Sequence, residues 1–163
     1  MKCYFLRHGI AVGPDEWRGS DFDRPLTREG RERMEREARA IDDLSLGIER
    51  IVTSPLLRAK QTAEILAERL GMRDKLVEDA RLGGGFNNDR LAEIIAAQAD
   101  MKTIVLVGHE PTMSATIGRA IGRANIELKK AALAGVELTD ATSGSGTLFC
   151  LIPPKALATF GKR

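Results

Sequence analysis

Residues 103–109 read Thr103-Ile104-Val105-Leu106-Val107-Gly108-His109. Five consecutive apolar or β-branched residues, with no polar alternation, describe a strand covered on both faces. Such strands belong to the interior of parallel sheets. The chain then breaks at Gly108-His109-Glu110-Pro111 and resumes as a helix from Pro111 or Thr112 to about Gly122. A buried strand that ends in a histidine and turns into a helix is the unit from which the rest can be read.

The same pattern recurs upstream. Residues 2–7 form an apolar run ending in Arg7-His8-Gly9. A polar loop containing Gly13-Pro14, Gly19 and Asp21 leads to Thr27, which caps a helix running to about Leu44. Met34, Ala38, Ile41 and Leu44 make its apolar stripe. Ile48 to Thr53 reads as a second strand. Ser54 as N-cap and Pro55 at the first helical position start the following helix, and Gly71 stops it. The turn Gly83-Gly84-Gly85 precedes a helix from about Asn88 to Ala99, with Leu91, Ile94 and Ile95 inward. Residues 132–138 and 146–152 read as two strands joined by a turn rich in Thr, Ser and Gly. Strands alternating with helices, then a hairpin, predict a single α/β domain over residues 1–163. It is a three-layer sandwich: a mostly parallel central sheet, helices on both faces, and an antiparallel C-terminal hairpin.

Composition narrows the function. The 25 basic and 23 acidic residues nearly balance, for a formal charge of +2. With one Trp and one Tyr there is little for base stacking, so nucleic acid is not an expected partner. Cys3 and Cys150 both lie in apolar runs, too few for a disulfide framework and without metal-knuckle spacing. They read as reduced core thiols of a cytoplasmic protein. The apolar run at residues 2–7 is too short for a signal peptide, and no stretch approaches a membrane span. A soluble cytoplasmic monomer that does not engage membranes is the expectation.

Chemistry collects at the strand ends. His8 and His109, the two histidines of the chain, each follow an apolar strand, and Arg58 falls in the first turn after Ile48–Thr53. In open α/β sheets, ligands bind beyond the carboxyl ends of parallel strands. If these strands are neighbours, two imidazoles and the guanidinium groups of Arg7 and Arg58 converge on one crevice. A cation in the first turn of a helix opposes the helix dipole, a penalty that a bound anion would remove. Arginine forks suit phosphate or carboxylate oxygens. A neutral histidine can attack phosphorus, and nearby arginines keep it neutral. Two histidines beside Arg7 make an incomplete and repelled metal shell, so no metal or other cofactor is expected.

At these residues the chain resembles the histidine phosphatase, or phosphoglycerate mutase-like, superfamily, and within it the small SixA-type phosphohistidine phosphatases. The motifs are Arg7-His8-Gly9; Arg24-Pro25-Leu26-Thr27 with Gly30; Ser54-Pro55 with Arg58-Ala59 and Gln61-Thr62; and Val107-Gly108-His109. The resemblance implies a phosphoglycerate mutase-like fold and a metal-independent phosphatase. His8 would be the nucleophile that forms a phosphohistidine intermediate. Arg7, Arg58 and His109 would hold the phosphoryl oxygens. Arg24 would stand at the pocket rim, where a structural ion pair explains it equally. Thr27 reads as a cap, and Gln61 and Thr62 as helix packing.

Larger relatives carry a carboxylic general acid after the second helix. The corresponding stretch here, residues 81–89, holds no glutamate. Asp89 is its nearest carboxylate and also fits a first-turn helix residue. Glu110 is a second possible acid and also fits a helix start. An imidazole leaving from phosphohistidine needs an acid less than an alkoxide does. The expected substrate is thus a phosphohistidine on a partner protein. The alternatives are a small phosphomonoester, or simple phosphate binding without catalysis.

Overall fold

The computed structural model describes residues 1–160. Its six strands are β1 (Lys2–Arg7), β2 (Arg50–Thr53), β3 (Leu76–Glu78), β4 (Thr103–Gly108), β5 (Leu133–Glu137) and β6 (Thr147–Ile152). The helices are α1 (Arg28–Asp43), α2 (Leu57–Arg69), α3 (Asn88–Ala97), α4 (Thr112–Ala120) and α5 (Pro154–Phe160). The strands build one sheet in the order β3-β2-β4-β1-β5-β6. Strands β3, β2, β4 and β1 run parallel, whereas β5 runs antiparallel to both β1 and β6. This is the expected α/β architecture with its closing hairpin.

The continuous apolar run of β4 has a direct cause. Ile104 and Leu106 enter a core that includes Leu91, Ile94, Met113 and Ile117, under α3 and α4. Val105 and Val107 enter the opposite core with Met34, Ile41, Leu66 and Leu157, under α1, α2 and α5. Both faces are covered, so both alternating sets of side chains must be apolar. Cys3 and Cys150 belong to opposite cores, their strands separated by β5, and both are free thiols.

Register then aligns the ends that matter. Arg7 pairs with Gly108 across β1–β4, and Thr53 with Val107 across β2–β4. The residues after all three strands therefore leave the sheet side by side.

Local signals hold at several helix ends. Thr27 Oγ1 accepts the Gly30 N–H at 2.9 Å, as a cap should. A side chain at Gly30 would put its Cβ 2.0 Å from the Ile10 carbonyl oxygen, so only glycine lets α1 approach the loop after His8. At the end of α2, Gly71 has φ +65°. Its N–H bonds Glu68 O, and the Met72 N–H bonds Ala67 O, a Schellman stop.

One helix start differs from the expectation. Helix α2 begins at Leu57, with no side-chain cap, instead of at Pro55. Ser54 directly follows β2 and its N–H still donates to Val107 O of β4 at 2.9 Å, while its hydroxyl is turned to another use. Two elements were not anticipated. Strand β3 is three residues long, too short to show a period, and α5 follows the hairpin from Pro154. Among the described residues no helix is long and apolar enough to cross a membrane.

Candidate active site

His8 emerges from β1 with its main-chain N–H still paired to Gly108 O at 3.0 Å. His109 emerges from the neighbouring β4. Their rings lie 5.2 Å apart, tilted by 51°, and both residues are buried. The two imidazoles stand side by side at the strand ends.

The proton on His8 can be assigned from its partner. Nδ1 lies 2.8 Å from Gly9 O, and a carbonyl oxygen only accepts, so Nδ1 carries the hydrogen. Nε2 then keeps its lone pair. Burial, above all, pushes the His8 pKa down to about 3, and the charges of His109, Arg58 and Arg7 push the same way. The Gly9 hydrogen bond opposes them. His8 is a neutral imidazole at physiological pH.

His109 is held differently. Its Nε2 lies 2.8 Å from Ser54 Oγ, which also accepts the Leu56 N–H at 3.3 Å. Burial pushes the His109 pKa down to about 4, with Arg58 next in effect. Asp21 opposes, and Arg24 and Arg7 add to the lowering.

Arg58 stands in the first turn of α2 and is buried. Its Nη1 donates to Asp21 O at 2.9 Å and its Nη2 to Asp21 Oδ2 at 3.1 Å. The anion expected to offset the helix dipole at Arg58 is thus, in the first instance, the chain's own Asp21 carboxylate. Thr62 ties this helix to the β1 loop: its Oγ1 accepts the Gly9 N–H at 3.0 Å and donates to Arg58 O at 2.7 Å. Arg7 donates from Nη1 to Leu128 O at 3.0 Å, and burial lowers its pKa against the opposing charge of Glu110. Arg7 Nε, Arg58 Nε and His109 Nδ1 are buried with no hydrogen-bond partner. Buried polar atoms are rarely left so, and three belonging to one cluster mark a place for a ligand with several acceptor oxygens.

The remaining sequence candidates divide. Arg24 joins the cluster, but its Nε is bonded to Asp21 Oδ1 at 2.9 Å and its Nη1 to Val12 O at 2.7 Å. Glu110 lies within electrostatic reach of Arg7, yet both its oxygens are engaged by Ser114, one by the N–H and one by the hydroxyl. Asp89 does not join them. It lines a separate cavity of about 920 Å³ with Asn87, Arg119, Arg123 and Ser143, which none of His8, His109, Arg7 and Arg58 borders.

Four residues at the site have tertiary roles that their local sequence does not show. Ser54 fitted a helix cap but serves His109. Thr62 fitted helix packing but bridges Gly9 and Arg58. Gln61, read the same way, accepts the Leu26 N–H at 2.8 Å and fixes the Arg24–Thr27 stretch on α2. Asp21 was visible only as a loop residue. Among the described residues no group of three or more His, Cys, Asp or Glu is placed to hold a metal ion.

Known proteins share the fold of this chain. The model of the histidine phosphatase superfamily, branch 1, matches residues 3–83. An uncharacterized protein of Picosynechococcus sp. is 38% identical over 96% of this chain and 99% of its own length. Among solved structures, the protein histidine phosphatase SixA complexed with tungstate superposes with a TM-score of 0.84 at 26% identity, covering 96% of this chain and 99% of that one. An α-ribazole phosphatase from Shigella flexneri superposes with a TM-score of 0.72, over 94% and 97% of the two chains. At 18% identity, that likeness concerns the fold alone. The aligned strand ends, the paired imidazoles and these likenesses lead to one conclusion: the chain belongs to the histidine phosphatase superfamily, is of the SixA type, and is a phosphatase.

Proposed function

We propose that this phosphatase hydrolyses phosphohistidine on a partner protein, with His8 as its nucleophile. The observation that carries the proposal is the His8 Nδ1–H···O=C bond to Gly9, which leaves Nε2 unprotonated in a cationic pocket. In the first step Nε2 forms a bond to phosphorus while the substrate's P–N bond breaks. The departing imidazole takes a proton from solvent. In the second step water attacks phosphorus, the P–Nε2 bond breaks, and inorganic phosphate leaves His8 as it began. Arg7, Arg58 and His109 donate hydrogen bonds to the phosphoryl oxygens as charge builds on them. Positioning and electrostatics supply most of the catalysis in phosphoryl transfer.

The placement of the carboxylates supports this substrate class. Glu110 is held by Ser114 and Asp89 lines another cavity, so neither is poised to protonate an alkoxide. A weakly basic imidazole has little need of such an acid. The comparison protein SixA is itself described as a protein histidine phosphatase. A cytoplasmic, monomeric enzyme that needs no metal completes the reading.

The test is a substrate set containing a phosphohistidine protein, a phosphoserine peptide and a sugar phosphate, run beside His8→Ala. The phosphohistidine protein should be cleaved fastest, Glu110→Gln and Asp89→Asn should change little, and His8→Ala should be inactive. Faster cleavage of the phosphoserine peptide or the sugar phosphate would refute the assignment.

A further inference from the structure

Arg58 can serve the phosphoryl group only if its guanidinium is already aimed. It is a long side chain in the first turn of a helix, where the dipole disfavours it. We propose that Asp21 is the positioning residue for Arg58, gripping both terminal nitrogens from one side so that the remaining N–H groups face the phosphoryl oxygens. The inference rests on the phosphoryl site described under the proposed function.

The grip is two-pronged. The Asp21 main-chain carbonyl takes Nη1 and its carboxylate takes Nη2. A guanidinium has five N–H hydrogens, so Nε and one hydrogen on each terminal nitrogen stay available. Arg58 Nε is among the buried atoms that have no partner. Asp21 is itself fixed: Arg24 Nε holds Oδ1 while Arg24 Nη1 is anchored on Val12 O. The chain of contacts runs Val12–Arg24–Asp21–Arg58, from the loop after His8 to the first turn of α2.

The exposures differ in a telling way. The Arg58 side chain is 8% exposed and the Asp21 side chain 61%. A surface carboxylate ordinarily contributes little through an ion pair, but here it steadies a buried cation that has a task. The Asp21 carboxylate also favours the charged form of His109, against Arg58, Arg24 and Arg7. It opposes the field of the three arginines at His109. Preorganised donors are worth most when they need no rearrangement as charge develops.

The opposite role is a competitor, in which Asp21 occupies Arg58 and must be displaced by phosphate. A double-mutant cycle on the full chain separates the two. The variants are Asp21→Ala, Asp21→Asn, Arg58→Ala and Asp21→Ala with Arg58→Ala, assayed for kcat and KM on a phosphohistidine protein. Inhibition by inorganic phosphate is measured alongside. A positioning role predicts that Asp21→Ala lowers kcat by about 10- to 100-fold with an unchanged melting temperature. Asp21→Asn should retain part of the rate, since its amide oxygen can still accept from Arg58, while the main-chain carbonyl is present in every variant. In the Arg58→Ala background the Asp21 change should add nothing. An unchanged or raised kcat, tighter phosphate inhibition, or additive losses would overturn the inference. Full activity in Arg58→Ala alone would instead overturn the phosphoryl site on which it rests.

Discussion

The rings of His8 and His109 lie 5.2 Å apart, close enough that a proton on one disfavours a proton on the other. Burial does the larger part, holding the two pKa values near 3 and 4 against an ordinary 6.5. In the unfolded chain both groups protonate near 6.5, so the unfolded state binds more protons between pH 6.5 and about 4. Their contribution is fully present above pH 6.5 and is lost as pH falls toward the folded values, by up to about 1.4 kcal/mol per unit for each histidine. Replacing both by asparagine should flatten the acid side of a plot of urea midpoint against pH. An unchanged slope would mean that the histidines are not buried neutral.

Glu37 acts in the other direction. It is fully buried on α1, paired with Arg33 at 3.1 Å, and burial pushes its pKa up to about 7 from 4.5. The folded state binds the extra proton between those values, so this contribution is lost as pH rises through them. Glu37→Gln should therefore gain stability relative to wild type from pH 5 to pH 8. Urea titrations at the two pH values check this, and a difference that stays constant would contradict it.

Ser54 fixes the His109 ring through Nε2. Ser54→Ala should lower kcat by about tenfold, equivalent to about 1.4 kcal/mol of transition-state stabilisation, with little change in melting temperature. A wild-type kcat would reduce Ser54 to a bystander.

Thr62→Val keeps shape but leaves the Gly9 N–H and the Arg58 carbonyl without the threonine hydroxyl. A buried donor left unsatisfied costs about 1–3 kcal/mol. The urea midpoint should fall accordingly, and kcat with it, because Gly9 adjoins His8, the proposed nucleophile. Loss of stability with full activity would place Thr62 outside the site.

Gly30 and Gly118 offer a paired comparison. A Cβ at Gly30 would sit 2.0 Å from Ile10 O, and one at Gly118 2.1 Å from Ala124 O. Both alanine variants should destabilise by at least about 1–3 kcal/mol, since backbone must move in each. Only Gly30→Ala displaces the loop that follows His8, so it alone should lower kcat of the folded enzyme. Equal kcat values in the two variants would count against that coupling.

Much of this was legible in the chain because strand ends are local features. The apolar runs ending at Arg7-His8 and Gly108-His109, and Arg58 in the turn after β2, place the four central groups once the sheet is assembled. What escaped reading depends on distant partners. Asp21 and Arg58 are 37 positions apart, and Ser54 and His109 are 55. Ser54-Pro55 satisfied a local helix-start rule so well that the tertiary use of the hydroxyl was hidden. Strand β3 escaped for a different reason, since three residues define no alternation.

In the proposed reaction His8 carries the phosphoryl group. Rapid quenching of the enzyme with a phosphohistidine protein, followed by mass spectrometry of its peptides, tests this most directly. An acid-labile phosphate is expected on His8, appearing and decaying within a turnover and absent from His8→Ala. Turnover with no phosphate on His8, or turnover that persists in His8→Ala, would contradict it.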